Sequence, residues 1–112
     1  MENLIRGIRE FNRERDWEQF HSPNNPAMAL SAEAAEILEH FLWVTDEESR
    51  NLSAAKLLQV KEEIGDVLIF LANLADKLGI DLMEVAREKL ERNRLKYPAD
   101  KVRGKSLKYS EY

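Results

Sequence analysis

Leu4, Ile5, Ile8 and Phe11 recur at helical spacing, so the chain is expected to open with an amphipathic helix over residues 2–15. The stretch Trp17 to Asn25 (WEQFHSPNN) breaks the period and reads as a loop, with Asn25-Pro26 able to serve as N-cap and first helical residue. A second helix is expected from Pro26 to about Trp43, its apolar stripe drawn from Leu30, Ala34, Ile37, Leu38 and Phe41. Asp46 to Leu52 is polar and reads as a turn. A third helix follows from near Ser53 to Gly79, with Leu57, Ile64, Leu68, Leu71, Ala75 and Leu78 on one face and Gly79 suited to the C′ position. Asp81 with Glu84 forms a capping box that opens a fourth helix, which stops before Pro98. The tail from Ala99 to Tyr112 is polar and reads as extended or partly mobile.

The third helix changes character along its length. Before Asp66 it is one-sided; from Val67 to Ala72 (VLIFLA) it is apolar all round, the mark of a helix covered on every side. In a chain of 112 residues, that pattern points to burial partly against another subunit, the alternative being a long helix buried entirely within one subunit. Length and lack of repeats imply a single domain over 1–112.

Composition narrows the class. Hydrophobic residues make up 44% and charged residues 34%, with only four Gly and three Pro, which suits a folded all-α domain. The formal net charge of −4 speaks against a nucleic-acid partner, which calls for a basic footprint. There is no Cys, hence no disulfide or thiolate metal site, which fits a cytoplasmic location. MENLIRGIREF lacks the apolar core of a signal peptide, and no apolar run approaches the ~20 residues of a membrane span.

Two acidic pairs carry the candidate chemistry. Glu33-Ala34-Ala35-Glu36 is an E-x-x-E and Glu63-Ile64-Gly65-Asp66 an E-x-x-D. Residues three apart share a helix face, so each pair projects two carboxylates the same way. Glu33 sits about 90° from the centre of its apolar stripe by the helical step, and Glu63 at a similar angle on its own helix. Both pairs border the packed seam, and antiparallel packing would bring all four acids to the edge of one core. Four gathered carboxylates are costly without a cation, and hard oxygen ligands in that number favour Mg²⁺, with Mn²⁺ as a substitute. Mg²⁺ keeps waters and bridges to phosphates, so the matching substrate is a di- or triphosphate. A di-iron site would want Glu-x-x-His on two helices; His40 follows Glu36 at i+4, and no His accompanies Glu63 or Asp66.

These acids, with ERDWEQFH (Glu14 to His21), SAEAAEILEHFLW (Ser31 to Trp43), EEIGDVLIFLANLA (Glu62 to Ala75) and KLERNRLKYP (Lys89 to Pro98), give a sequence that resembles the MazG-like all-α NTP pyrophosphohydrolases, and within them the dCTP pyrophosphatase branch. The resemblance spans roughly residues 4–109. It implies a four-to-five-helix bundle assembled through helix packing between subunits, as a tetramer built from dimers. It also implies Mg²⁺ at Glu33, Glu36, Glu63 and Asp66, and cleavage of a nucleoside triphosphate to monophosphate and pyrophosphate in housecleaning of nucleotide pools. Glu36 is the candidate general base. Trp17, His21, Trp43 and Phe70 are candidate base contacts, and Lys89, Asn93, Lys96 and Tyr97, spaced along the end of the last helix, candidate phosphate and sugar contacts. The family pattern often places Tyr where Phe70 stands and, in some members, His where Ile8 stands; both departures remove a polar group and bear on base selectivity. The competing class is a non-catalytic helical oligomerisation or adaptor module. It accounts for the amphipathic helices and the all-round apolar segment, but not for two acid pairs at the rim of the seam.

Overall fold

A computed structural model describes residues 1–104. The described residues are helical throughout, with no strand: α1 (Glu2–Glu14), α2 (Asn24–Glu39), α3 (Asp46–Arg50), α4 (Ala54–Lys77), α5 (Leu82–Lys96) and α6 (Ala99–Val102), plus a single 3-10 turn at Glu18–Phe20. The chain divides into two compact units, Met1–Ile80 and a second from Asp81 onward. No described helix is long and apolar enough to cross a membrane.

Local chemistry sets the helix ends. The hydroxyls of Thr45 and Ser53 and the carboxylate of Asp81 cap α3, α4 and α5 by accepting from the backbone N–H of Glu48, Lys56 and Glu84. At the end of α4, Gly79 takes a φ of 67°; the N–H of Ile80 bonds Ala75 C=O at 2.8 Å and that of Gly79 bonds Asp76 C=O at 3.1 Å, a Schellman closure. The same closure ends α1 with Asp16 in the left-handed position (φ 53°), as Trp17 N–H bonds Asn12 C=O at 2.9 Å and Asp16 N–H bonds Arg13 C=O at 3.1 Å. Asp tolerates that conformation better than most residues, and here its carboxylate accepts a hydrogen bond from Gln19 at 3.1 Å.

Four features differ from the sequence expectation. Helix α2 starts at Asn24, so Pro26 stands third in it, still within the first turn where its missing N–H goes unneeded; its side chain is fully buried. Helix α2 also stops at Glu39, and Phe41 to Trp43 form a turn. The polar stretch after it is the short helix α3, not a turn: Thr45 Oγ1 accepts from Glu48 N–H and its hydroxyl donates to Glu48 Oε1, both at 3.1 Å, and three acids stand in the first turn. Beyond Pro98 the tail holds the short helix α6, and its residues 105–112 lie outside the described residues.

In the first unit α4 is the central element, packed most extensively against α2 and next against α1. Asp76 of α4 meets Arg9 of α1, and Asn73 meets Asn12, so numbering rises on one helix as it falls on the other. The two helices are therefore antiparallel. Ile8, Val60, Ala72 and Ala75 are the buried apolar centre. At ~25 cal/mol per Å², burying a side chain such as Ile8 or Val60 contributes about 2 kcal/mol. The α4 stripe read from the sequence is only partly covered: Leu57, Ile64, Leu68 and Leu78 are exposed, while Ala75 is buried.

Candidate functional site

The acid-bearing helices α2 and α4 face each other, and the four carboxylates of the two motifs come together. The Glu33 carboxyl is held above the usual carboxylate range, first by burial, then by a hydrogen bond with Glu36, and then by the negative charges of Glu36, Asp66 and Glu63. Oε2 of Glu33 and Oε2 of Glu63 are buried without a hydrogen-bond partner. Buried polar atoms are ordinarily paired, so the bare Glu33 Oε2 in this acid cluster marks a place short of positive charge. His40, also on the chain leaving α2, brings Nε2 to 2.6 Å from Glu63 Oε2. That oxygen still lacks an aligned hydrogen bond, so the approach is a close polar contact that leaves its acceptor capacity unfilled. Sequence spacing, which looks along one helix, placed His40 beside Glu36 and gave Glu63 no histidine; packing corrects this, because His40 reaches Glu63 from the neighbouring element.

Among the described residues no three of His, Asp or Glu converge into a ready-made coordination sphere. The donor set nevertheless fits a hard divalent cation: oxygen ligands, mutual repulsion among the acids, and two buried carboxylate oxygens without a hydrogen bond. Glu33, Glu36, Glu63 and Asp66 are the residues able to hold it.

Beside the acids lies a cavity of about 490 Å³, within the size range of small-ligand pockets. It runs along the seam of α1 and α4. Leu4, Ile8, Phe11 and Asn12 supply one wall at three- and four-residue steps, and Asp66, Ile69, Phe70 and Asn73 the other. Trp17 and His21, from the loop after α1, also line it. The Schellman closure at Asp16 delivers Trp17 to this position, where its ring meets Phe11 edge to face at 5.6 Å between centroids. Asp66 therefore belongs both to the acid cluster and to the cavity, one helical turn before Phe70.

Of the candidate base contacts, Trp17, His21 and Phe70 share this cavity and Trp43 does not; Trp43 stands in the turn after α2 with 93% of its surface exposed. Lys89, Asn93, Lys96 and Tyr97 belong to the second unit, at the end of α5, where Asn93 C=O accepts from Tyr97 N–H at 2.8 Å. Sequence reading missed Asn12 and Asn73. Both are buried, at 5% and 4% exposure, and line the cavity. The available signal was their place inside apolar stripes, Asn12 one turn after Ile8 and Asn73 three residues after Phe70.

The MazG-like family matches residues 28–112 of the chain. Human dCTP pyrophosphatase 1 is 42% identical across 99% of this chain, which spans 66% of that relative's length, and the bovine protein of the same name is 39% identical across 99% of this chain and 67% of its own. The chain thus covers about two-thirds of these relatives. A crystal structure of a pyrophosphatase from Archaeoglobus fulgidus superposes with a TM-score of 0.82 at 40% identity, covering 88% of this chain and 92% of that one. The match over most of the length, on an all-helical fold that gathers E-x-x-E and E-x-x-D around one acid cluster, places the chain in the MazG-like family.

Proposed function

We propose that this chain hydrolyses a nucleoside triphosphate, a pyrimidine deoxynucleotide such as dCTP, to the monophosphate and pyrophosphate, as a housecleaning activity on cytoplasmic nucleotide pools. One observation carries the reading: an electrostatically strained acid cluster shares Asp66 with an apolar, aromatic-lined cavity of nucleoside size. A triphosphate is a charged chain attached to a flat apolar body, and the site offers a place for each. The curated relatives are named as dCTP pyrophosphatases and the structural neighbour as a pyrophosphatase, which supports the same reading.

Glu33, Glu36, Glu63 and Asp66 would hold Mg²⁺, or Mn²⁺ in its place, and the ion supplies neutralisation of phosphate charge and polarisation of a water. Trp17 and Phe70 hold the base by stacking, worth ~1–3 kcal/mol per base. That fixes the α-phosphorus relative to the acids, and positioning of this kind lowers the barrier by removing orientational freedom in advance. Glu36 takes the proton of the attacking water as its oxygen bonds to the α-phosphorus and the bond to the bridging oxygen breaks, with pyrophosphate leaving. Lys89, Asn93, Lys96 and Tyr97 serve the phosphates and sugar. The assembly is a homo-oligomer, a tetramer built from dimers, and Trp43 joins the base contacts from a subunit interface. Phosphorus NMR of a reaction with dCTP and Mg²⁺ should show dCMP and pyrophosphate as first products. Primary release of dCDP and orthophosphate would defeat the proposal.

A further inference from the structure

The polar groups in the wall of the cavity are joined in a chain. Asn12 Nδ2 donates to Asn73 Oδ1 at 3.3 Å, and Asn73 Nδ2 lies 3.3 Å from His21 Nδ1. Both amides are buried between apolar side chains, Ile8 and Phe11 on one helix and Ile69 and Phe70 on the other. In such a place the bonds are kept, because an unpaired amide is costly. The relay has a direction. The Asn73 oxygen is taken by Asn12, so the Asn73 amide turns its NH₂ toward His21, and an NH₂ only donates. His21 Nδ1 must then offer a lone pair. A neutral imidazole with its lone pair at Nδ1 carries its proton at Nε2, and an imidazolium would set two N–H groups against each other.

We propose that Asn73 is a positioning residue that fixes His21 as the neutral Nε2–H tautomer, so that the cavity presents a hydrogen-bond donor to an acceptor-bearing nucleobase edge, such as the O2 and N3 of cytosine. Asn12 and Asn73 commit amide atoms to the relay, whereas His21 keeps Nε2 for a bound molecule. That donor discriminates between base edges, since an edge placing its own N–H against it would leave two donors unpaired. The identity of the ligand as a nucleotide rests on the function proposed above; the tautomer does not.

The test is nitrogen-15 NMR of the imidazole rings of the full chain at about pH 8, above the ordinary histidine range of roughly 6.5. The His21 signals are assigned by their loss in His21→Gln. The wild-type protein should show Nε2 protonated and Nδ1 bare. Asn73→Asp, near-identical in shape, replaces the donor with an acceptor and should transfer the proton to Nδ1, a change that a merely structural Asn73 would not produce. The same variant should raise KM for dCTP by about tenfold, the loss of roughly one hydrogen bond, with kcat much less affected. A wild-type ring protonated at Nδ1, or a tautomer unmoved in Asn73→Asp, overturns the inference even if dCTP is cleaved. Failure to cleave dCTP while His21 shows Nε2–H defeats the pyrophosphohydrolase reading and supports the relay.

Discussion

Asp66 lies where the two halves of the site meet, so it is the residue whose replacement separates metal chemistry from packing. Asp66→Asn keeps the size of the side chain and removes one charge from the cluster that raises the Glu33 carboxyl. Activity should fall by orders of magnitude if Asp66 holds the ion, because metal placement sets both leaving-group and water geometry. Stability without metal should stay level or rise as repulsion is relieved, and the rise in melting temperature on adding Mg²⁺ should shrink. Turnover and melting measured with and without Mg²⁺ decide it; wild-type turnover with an intact Mg²⁺ response would remove Asp66 from the site. Asp76 titrates to the opposite effect. Arg9 Nε and Nη2 reach its carboxylate at 2.9 and 2.5 Å, and this hydrogen bonding, with the Arg9 charge, holds Asp76 below its ordinary range against the opposing effect of burial. A folded-state value below the unfolded one means that the link between α1 and α4 contributes above the unfolded carboxylate range of about 4 and is lost as pH falls through the lower folded value. Asp76→Asn should therefore be less stable than wild type at neutral pH, by a modest amount because Arg9 is solvent-exposed, and the gap should narrow at acid pH. Urea melts at the two pH values check this; an equal gap at both would show that the pair is not the cause.

At the scale of elements, what was legible in the sequence was what neighbouring residues decide. Ser53, Asp81 and Gly79 act within a few positions of themselves, and their caps stand where the spacing places them. Thr45-x-x-Glu48 carried the same signal, but the acidic run around it reads as turn composition, and α3 was lost to that reading. The acid pairs were legible as well, because a three-residue step puts both members on one face. Long-range relations were not. The 2.6 Å approach of His40 to Glu63 and the amide chain from Asn12 to His21 depend on which helix faces which, and Asn in an apolar stripe looks like an imperfection until its partner is seen. Gly7 tests whether the α1–α4 seam is a binding cavity. It lies inside α1, and a Cβ built there meets nothing within 4 Å. Gly7→Ala should stabilise the protein by about 0.5–1 kcal/mol, since Gly costs a helix interior that much, with substrate affinity nearly unchanged. Gly7→Leu projects further into the space lined by Ile8, Trp17 and Phe70 and should raise KM for dCTP severalfold while the fold persists. Equal KM values in the two variants would place the base elsewhere.

The whole molecule poses a different question, because α4 displays apolar surface that water does not favour. Leu58 is 59% and Ile64 53% exposed, Leu57, Leu68 and Leu78 are exposed along the same helix, and on the α2 side Leu38, Leu42 and Trp43 add to the apolar surface. Scattered apolar residues are ordinary on a surface, but a stripe continued along a 24-residue helix is the pattern of an interface. The sequence places an all-round apolar segment at Val67 to Ala72; within the chain Ala72 is fully covered and Leu68 and Ile69 are not, so one side of that segment stays open. An adaptor module would have the same stripe, and Mg²⁺ with a nonhydrolysable dNTP separates the two cases, since only a site binder is stabilised as ligand rises above its Kd. The stripe itself is tested by Leu68→Lys. If the face is solvated, a lysine there changes stability by no more than about 0.5 kcal/mol and leaves the mass unaltered. If it is the interface, the wild-type protein should scatter light at micromolar concentration as a species near four times 13.0 kDa. The variant should then fall to smaller species and lose melting temperature in a concentration-dependent way, because burying an unpaired ammonium costs several kcal/mol per copy and association no longer supports the fold. A wild-type chain that stays a stable monomer under those conditions would require α4 to tolerate its apolar face in water, and the assembly proposed here would have to be abandoned.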